Sequence, residues 1–264
     1  MKILQREPVA TARPPAFARA TADKARPQDR KTARLFVMEP YLKRLINEGE
    51  GQQLDFKYCV SDSRKIARTL SAFSNSDGGR LLIGVRDNGS IAGIRSDEEI
   101  YMVETASHLF CKPEINYTVK QHTIEGKTIV EVIVLKGEKR PYRSKDENGA
   151  WRAWFRHMDQ NLAANSVMLK VWKKEDRKSG LLVKFGKAEE KLFNYLSENT
   201  SVTLSGFRKM TGISSGKAEA ILANLILLKI LNINASEKGI RYELNPEEPL
   251  TTDTDKKTII VKGK

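Results

Sequence analysis

Residues Glu48 to Lys57 read EGEGQQLDFK. If a strand starts at Gln53, Asp55 and Lys57 share one face about 7 Å apart. An acidic residue, one spacer and a lysine is how many metal-dependent nucleases begin their active sites. The same spacing suits a nucleic-acid-binding edge or the solvated face of a strand, and all three readings stay open on the residues alone.

The elements that must position this stretch are legible as alternating periods. Residues 39 to 48 form a short helix with Leu42, Leu45 and Ile46 on one side, and Leu54, Phe56, Tyr58 and Val60 alternate as a half-buried strand does. Ser61 or Asp62 caps a helix whose apolar stripe is Ile66, Leu70 and Phe73, ending at Gly78-Gly79. RLLIGV reads as a buried central strand, Asn88-Gly89 as a hairpin turn, and residues 97 to 110 as an amphipathic helix. A second hairpin spans 115 to 124 and 127 to 136. Strands near 141 to 144 and 152 to 156 precede a helix from about Leu162 to Trp172.

A charged stretch, KKEDRKSG, separates this part from three helices and two strands, with tight turns at Gly212 and Lys238-Gly239. That order is a winged helix-turn-helix. The expected domains are a disordered basic tail (1–37), an α+β domain (38–173), a linker (174–181), a winged helix (182–245) and a loose tail (246–264). Composition shifts at Met38. The upstream residues are either read through from an earlier start or form an arm that adds non-specific phosphate affinity.

The chain has 264 residues, a net charge of +13 and a pI near 9.6, the footprint of a nucleic-acid binder. Residues 1 to 37 hold nine Lys/Arg and three Asp/Glu, so the tail supplies +6 and the rest only +7. No apolar run is long enough to span a bilayer. Two cysteines make neither a disulfide framework nor a zinc set, which points to a reducing, cytoplasmic location. EGKT at 125 to 128 would need a glycine at position 121, which is Gln121, and GISSGKA at 212 to 218 has the wrong spacing for a phosphate loop. His108, His157 and Asp159 have no metal-ligand spacing.

GEGQQLDFK, then LSAFSNSDGGRLLIGVRDNGSIAGI, then RPYRSKDENGAWRAWFR resemble the Schlafen-type AlbA domain over residues 39 to about 172. The resemblance implies an α+β fold with a mixed or antiparallel sheet and flanking helices. Bacterial members often carry a winged helix and are described as DNA-binding transcriptional regulators. Some bear an ATPase label that the missing phosphate loop does not support here. Animal members include RNA endonucleases, whose three carboxylates correspond to Glu50, Asp55 and Asp87. In that reading the three hold Mg²⁺ or Mn²⁺ and Lys57 stabilises the developing charge, so the catalytic set is Glu50, Asp55, Lys57 and Asp87. Asp55 stands where the family has Glu, one methylene longer. Gly49 and Gly51 let the backbone turn so that Glu50 can join Asp55.

The expected function is therefore a DNA-binding regulator. A metal-dependent endoribonuclease acting on structured RNA and a protein-interaction module are the alternatives. No cofactor is implied beyond Mg²⁺ or Mn²⁺ for a nuclease. The partner is nucleic acid, duplex DNA first, with no membrane. Animal Schlafen cores pair two such lobes, so a homodimer is expected. The nucleic-acid contacts are Lys57, Arg80, Arg143 and Arg156, with Ser215 and Lys217 on the recognition helix and Lys238 and Arg241 in the wing. Trp151, Trp154 and Phe155 are read as core or dimer contacts.

Overall fold

The structure, a computed structural model, describes residues 40–175, 181–236, 238–247 and 258–261; for 181–184 and 258–261 it describes backbone only. The expected tail at 1–37 lies outside the described residues, as do 176–180 of the linker and most of 246–264. Contacts divide the chain into two units, Met1–Leu45 and Ile46–Lys264. The first is described only from residue 40, where a helix over 40–48 (α1) begins. Every other described element lies in the second unit.

LDFK forms β1 (Leu54–Lys57), shorter than the alternation to Val60 implied. Asp62 then starts α2 (Ser63–Asn75), its carboxylate accepting from the Arg64 amide at 2.8 Å. After the turn comes β2 (Gly79–Ile83), which pairs parallel with β1 in the register Asp55↔Leu81 and Lys57↔Ile83. Past α3 (Glu98–Phe110), β4 (Tyr117–Ile124) and β5 (Lys127–Val134) form the expected hairpin, giving a mixed sheet in the order β1-β2-β5-β4. A second, antiparallel sheet runs β3 (Cys111–Lys112), β6 (Arg143–Lys145), β7 (Trp151–His157), β8 (Gln160–Ala163).

Helix α2 is used on two sides. Ile66, Leu70 and Phe73 join Leu81, Ile83, Val130 and Val132 in one buried cluster. Asn75, itself buried, donates to the carbonyls of Tyr142 and Trp154 at 2.7 Å each and accepts from the Tyr142 amide at 2.8 Å. A buried amide meeting this many partners is what its desolvation requires. It ties α2 to the second sheet.

The helix expected from Leu162 starts later. Residues 160 to 163 are β8, and α4 runs Ser166–Glu175, with Asn165 accepting from the Met168 amide at 3.1 Å. Beyond it come α5 (Lys187–Glu198), α6 (Leu204–Thr211), α7 (Ser215–Leu227) and the hairpin β10 (Leu231–Ser236), β11 (Gly239–Leu244). Thr203 caps α6, and Gly212 ends it at φ 70° in the left-handed region. One difference from the sequence reading is a strand β12 (Thr258–Val261), in the segment expected to be a loose tail. It pairs antiparallel with β9 (Leu181–Lys184). Among the described residues no helix is long and apolar enough to cross a membrane.

Candidate functional site

Asp55 sits in the middle of the shortest strand of the first sheet, yet it is only 3% exposed, which excludes a surface ion pair. Its Oδ1 lies 3.1 Å from Arg156 Nη2 and its Oδ2 lies 2.8 Å from Lys57 Nζ. The lysine also donates to the Phe56 carbonyl at 2.7 Å, and Oδ2 has no aligned hydrogen bond. The Lys57 contact is therefore chiefly Coulombic. Glu50 turns back at the strand's start, and its Oε1 accepts from the Phe56 amide at 2.8 Å. Burial, then the neighbouring Asp55 charge, raises the Glu50 pKa above its usual 4.5, against the lowering effect of the Phe56 bond.

Arg156 departs from the sequence reading. It was expected on a phosphate-facing surface, but its side chain is 1% exposed. The guanidinium donates to Gly51 O and Leu54 O, each at 3.0 Å, and to Asn161 Oδ1 at 3.1 Å, and stacks over Phe73 at 5.4 Å. It clamps β1 to β7 from inside. The signal was hidden because an arginine in an alternating strand looks the same whether its face is wet or dry.

The three carboxylates do not converge. Glu50 and Asp55 are together, but Asp87 is exposed in a turn closed by Arg86 N donating to Ser90 O at 3.0 Å. Gly84, at φ 94°, bends the chain away where β2 ends, and its carbonyl accepts from Ala92 and Gly93 amides. Among the described residues no group of three or more His, Cys, Asp or Glu is placed to hold a metal ion. The expected metal set of Glu50, Asp55 and Asp87 is not assembled.

The remaining cations are scattered by role. Arg80 Nε pairs with buried Glu131 at 3.1 Å, whose other oxygen meets His122 Nε2 at 2.9 Å. Arg143 is half-buried on β6, in register with Lys112 and Ala153. A cluster that the sequence did not reveal lies past β1. Tyr58 carries the guanidinium carbons of Arg86 and Arg95 at 4.7 and 5.2 Å from its ring centroid. Arg95 also donates to its hydroxyl at 3.3 Å, and that bond, then the Arg95 charge, lowers the phenol's pKa. These three residues come from separate segments, so no short spacing could have shown the cluster.

In the C-terminal part, Lys217 stands exposed in the first turn of α7, while Ser215 donates to Glu219 at 3.0 Å. Glu219 also pairs with Lys170 of α4 at 3.3 Å. Burial pushes the Glu219 pKa up, but hydrogen bonds from Ser166, Ser215 and Lys170 outweigh it, and the net shift is downward. Asn224 bonds Lys174, also on α4. One side of α7 is thus engaged by α4. Lys238 and Arg241 are exposed on the hairpin, the latter donating to Ser201 Oγ at 3.4 Å. The hairpin's inner face, Ile233, Ala235 and Ile240, packs with Phe155 and Trp172.

This α+β arrangement has a family counterpart: residues 50–165 match the Schlafen, AlbA_2 family model. The match opens on Glu50 and closes just before α4. Among solved structures, one similar chain is a Corynebacterium diphtheriae protein at 14% identity and TM-score 0.40, covering 74% of this chain and 34% of that one. Another is the N-terminal domain of a RecG-related protein from Nitrosomonas europaea, at 20% identity and TM-score 0.34, covering 47% of this chain and 95% of that one. This chain therefore spans about a third of the first structure's length. No curated protein matches the sequence.

Proposed function

We propose that this protein binds nucleic acid, and more narrowly that it is a DNA-binding transcriptional regulator whose α5–α7 and β10–β11 act as a winged helix. The observation that carries the reading is Lys217, exposed at the start of α7, with Lys238 and Arg241 exposed on the hairpin that follows. Among the described residues none of the three is ion-paired. A helix N-terminus with a lysine beside it is suited to backbone phosphate. The net charge of +13 and the family match over 50–165 support the same reading.

Because α4 engages the side of α7 that carries Glu219 and Asn224, contact is by the first turn of α7 and by the wing rather than along the helix. The same reading has the protein act in the cytoplasm as a homodimer. Endoribonuclease chemistry lacks its third carboxylate, since Asp87 does not join Glu50 and Asp55.

The test is binding to random and mixed-sequence duplex across a salt series. Affinity should fall linearly on logarithmic axes, and Lys217→Ala, Lys238→Ala and Arg241→Ala should each flatten the slope by about one phosphate. Unchanged affinity in all three variants would instead make this segment a protein-docking unit.

A further inference from the structure

We infer that the cleft between the start of α2 and the β6–β7 turn is a binding site for a phosphate monoester. The cleft has a volume of about 300 Å³, at the small end of ligand pockets. Two of its lining residues present polar atoms that the fold leaves unused. Ser144 is 0% exposed, Trp154 Nε1 is likewise buried, and among the described residues neither the hydroxyl nor the indole N–H has a partner. An indole N–H can only donate, and a buried donor without an acceptor is costly, so Trp154 asks for an external acceptor, and the Ser144 hydroxyl is able to donate to the same one.

The charges around them are arranged for an anion. Arg64, Lys65, Arg68 and Lys145 line the cleft, and among the described residues none has a carboxylate partner. Three of them rest on aromatic rings: Arg64 over Phe110 at 5.3 Å, Arg68 over Trp154 at 5.2 Å and Lys145 over Trp151 at 5.4 Å. A ring face holds a cation in place without neutralising it.

The acidic lining residues are already engaged or outward. Asp62 caps α2, and Asp146 accepts from the amides of Asn148 and Ala150 and from Arg152 at 2.6 Å. Glu147 is exposed. A dianionic phosphate has enough acceptor oxygens for a hydroxyl, an indole N–H and several cations at once, and a carboxylate does not.

The cleft is independent of the proposed winged helix, which rests on Lys217, Lys238 and Arg241 and fails or holds by their variants alone. Two sources share the chemistry: a free phosphate ester or the 5′-phosphate of a strand. Calorimetric titration of the full chain with inorganic phosphate, a 5′-mononucleotide, and one short oligonucleotide with and without its 5′-phosphate separates them. Saturable binding of phosphate and mononucleotide is expected. If the 5′-phosphorylated strand binds tighter than both while its 5′-hydroxyl twin does not, the source is a strand end; otherwise it is a free ester. Arg68→Gln should weaken binding roughly tenfold, about one charge-assisted hydrogen bond. Lys65→Ala, which disturbs no ring contact, should weaken it less. Ser144→Ala should weaken binding while leaving the melting temperature of the free protein equal or higher, because it deletes an orphaned polar group. No saturable binding, or wild-type binding in both Arg68→Gln and Ser144→Ala, overturns the inference.

Discussion

Replacing Arg156 by alanine should remove a large part of the folding free energy, because the buried Asp55 carboxylate would lose its guanidinium partner. The pair they form is almost fully enclosed, at 1% and 4% side-chain exposure. Breaking a buried ion pair from one side costs about 3–5 kcal/mol. Two backbone acceptors are also affected. Leu54 O keeps the Gly51 amide at 2.9 Å, but Gly51 O depended on Arg156 Nε. One orphaned carbonyl adds about 1–3 kcal/mol where water cannot reach it. Lys57, at 2.8 Å from the other oxygen, remains to offset part of this. The net loss comes to about 4 kcal/mol, against a typical total of about 5–15 kcal/mol. Arg156→Lys should fall between, since an ammonium cannot meet the planar fork of acceptors that a guanidinium does. Urea unfolding followed by circular dichroism measures this. A loss under about 1 kcal/mol with an unchanged slope would show that the clamp does not hold β1 to β7. Asp55→Asn should destabilise for the mirror-image reason, so lost activity in that variant is not by itself a sign of chemistry.

Glu50→Gln should raise stability near neutral pH and flatten its pH dependence. The folded chain holds the Glu50 proton more tightly than the unfolded one, so stability falls as pH rises from about 4.5 through the raised folded value, and Gln removes that slope while keeping the Phe56 acceptor. Thermal melts of both proteins from pH 4 to 8 should converge at the acid end; parallel curves would sink the idea. Gly84→Ala should cost about 2 kcal/mol or more, since φ is 94° and the new methyl would lie 2.8 Å from the Gly93 carbonyl carbon. A melting temperature within a degree of wild type would contradict this. Trp172→Ala should cost about 3–5 kcal/mol and lower the stability of both the second sheet and the C-terminal helices in one transition. Two separate transitions in calorimetry would refute the shared packing.

Much of the fold was readable because local signals agreed with tertiary needs. Asp62 before an apolar period at Ile66, Leu70 and Phe73 gave α2, and Glu125-Gly126 between alternating runs gave the β4–β5 hairpin. β8 was missed because QNLA is short and abuts a helical pattern, and pairing with Phe155 and Trp154 outweighs local preference. The site was legible in part. Glu50, Asp55 and Lys57 are neighbours, as the glycines allowed, but burial inverted their meaning. Arg156, a hundred residues on, supplies the counter-charge that no local spacing announces. Asp87 was assigned from the family resemblance, and the bend at Gly84 takes the chain away from β1 before Asp87 is reached.

The helix α4 decides how the two halves of Ile46–Lys264 relate. It gives Val167 and Val171 to the cluster built on Leu192, Phe207 and Leu222, and Met168 and Trp172 to the one built on Ala153 and Phe155. Those pairs form two adjacent stripes about 100° apart, so a broad part of the helix is dry and neither half is complete without it. The hairpin β10–β11 repeats the pattern, with Tyr242 in the first cluster and Ala235 in the second. A winged helix tethered by a free linker would present a whole recognition helix to a groove. Here α7 has Ala218, Ile221, Leu222 and Leu225 buried and Glu219 and Asn224 tied to α4. What α7 and the hairpin leave exposed is the start of α7, at Lys217, and the outer edge of β10–β11, at Lys238 and Arg241. Under the duplex reading proposed above, such a surface contacts phosphates and few bases, so sequence preference has to come from DNA shape or from a second copy of the chain.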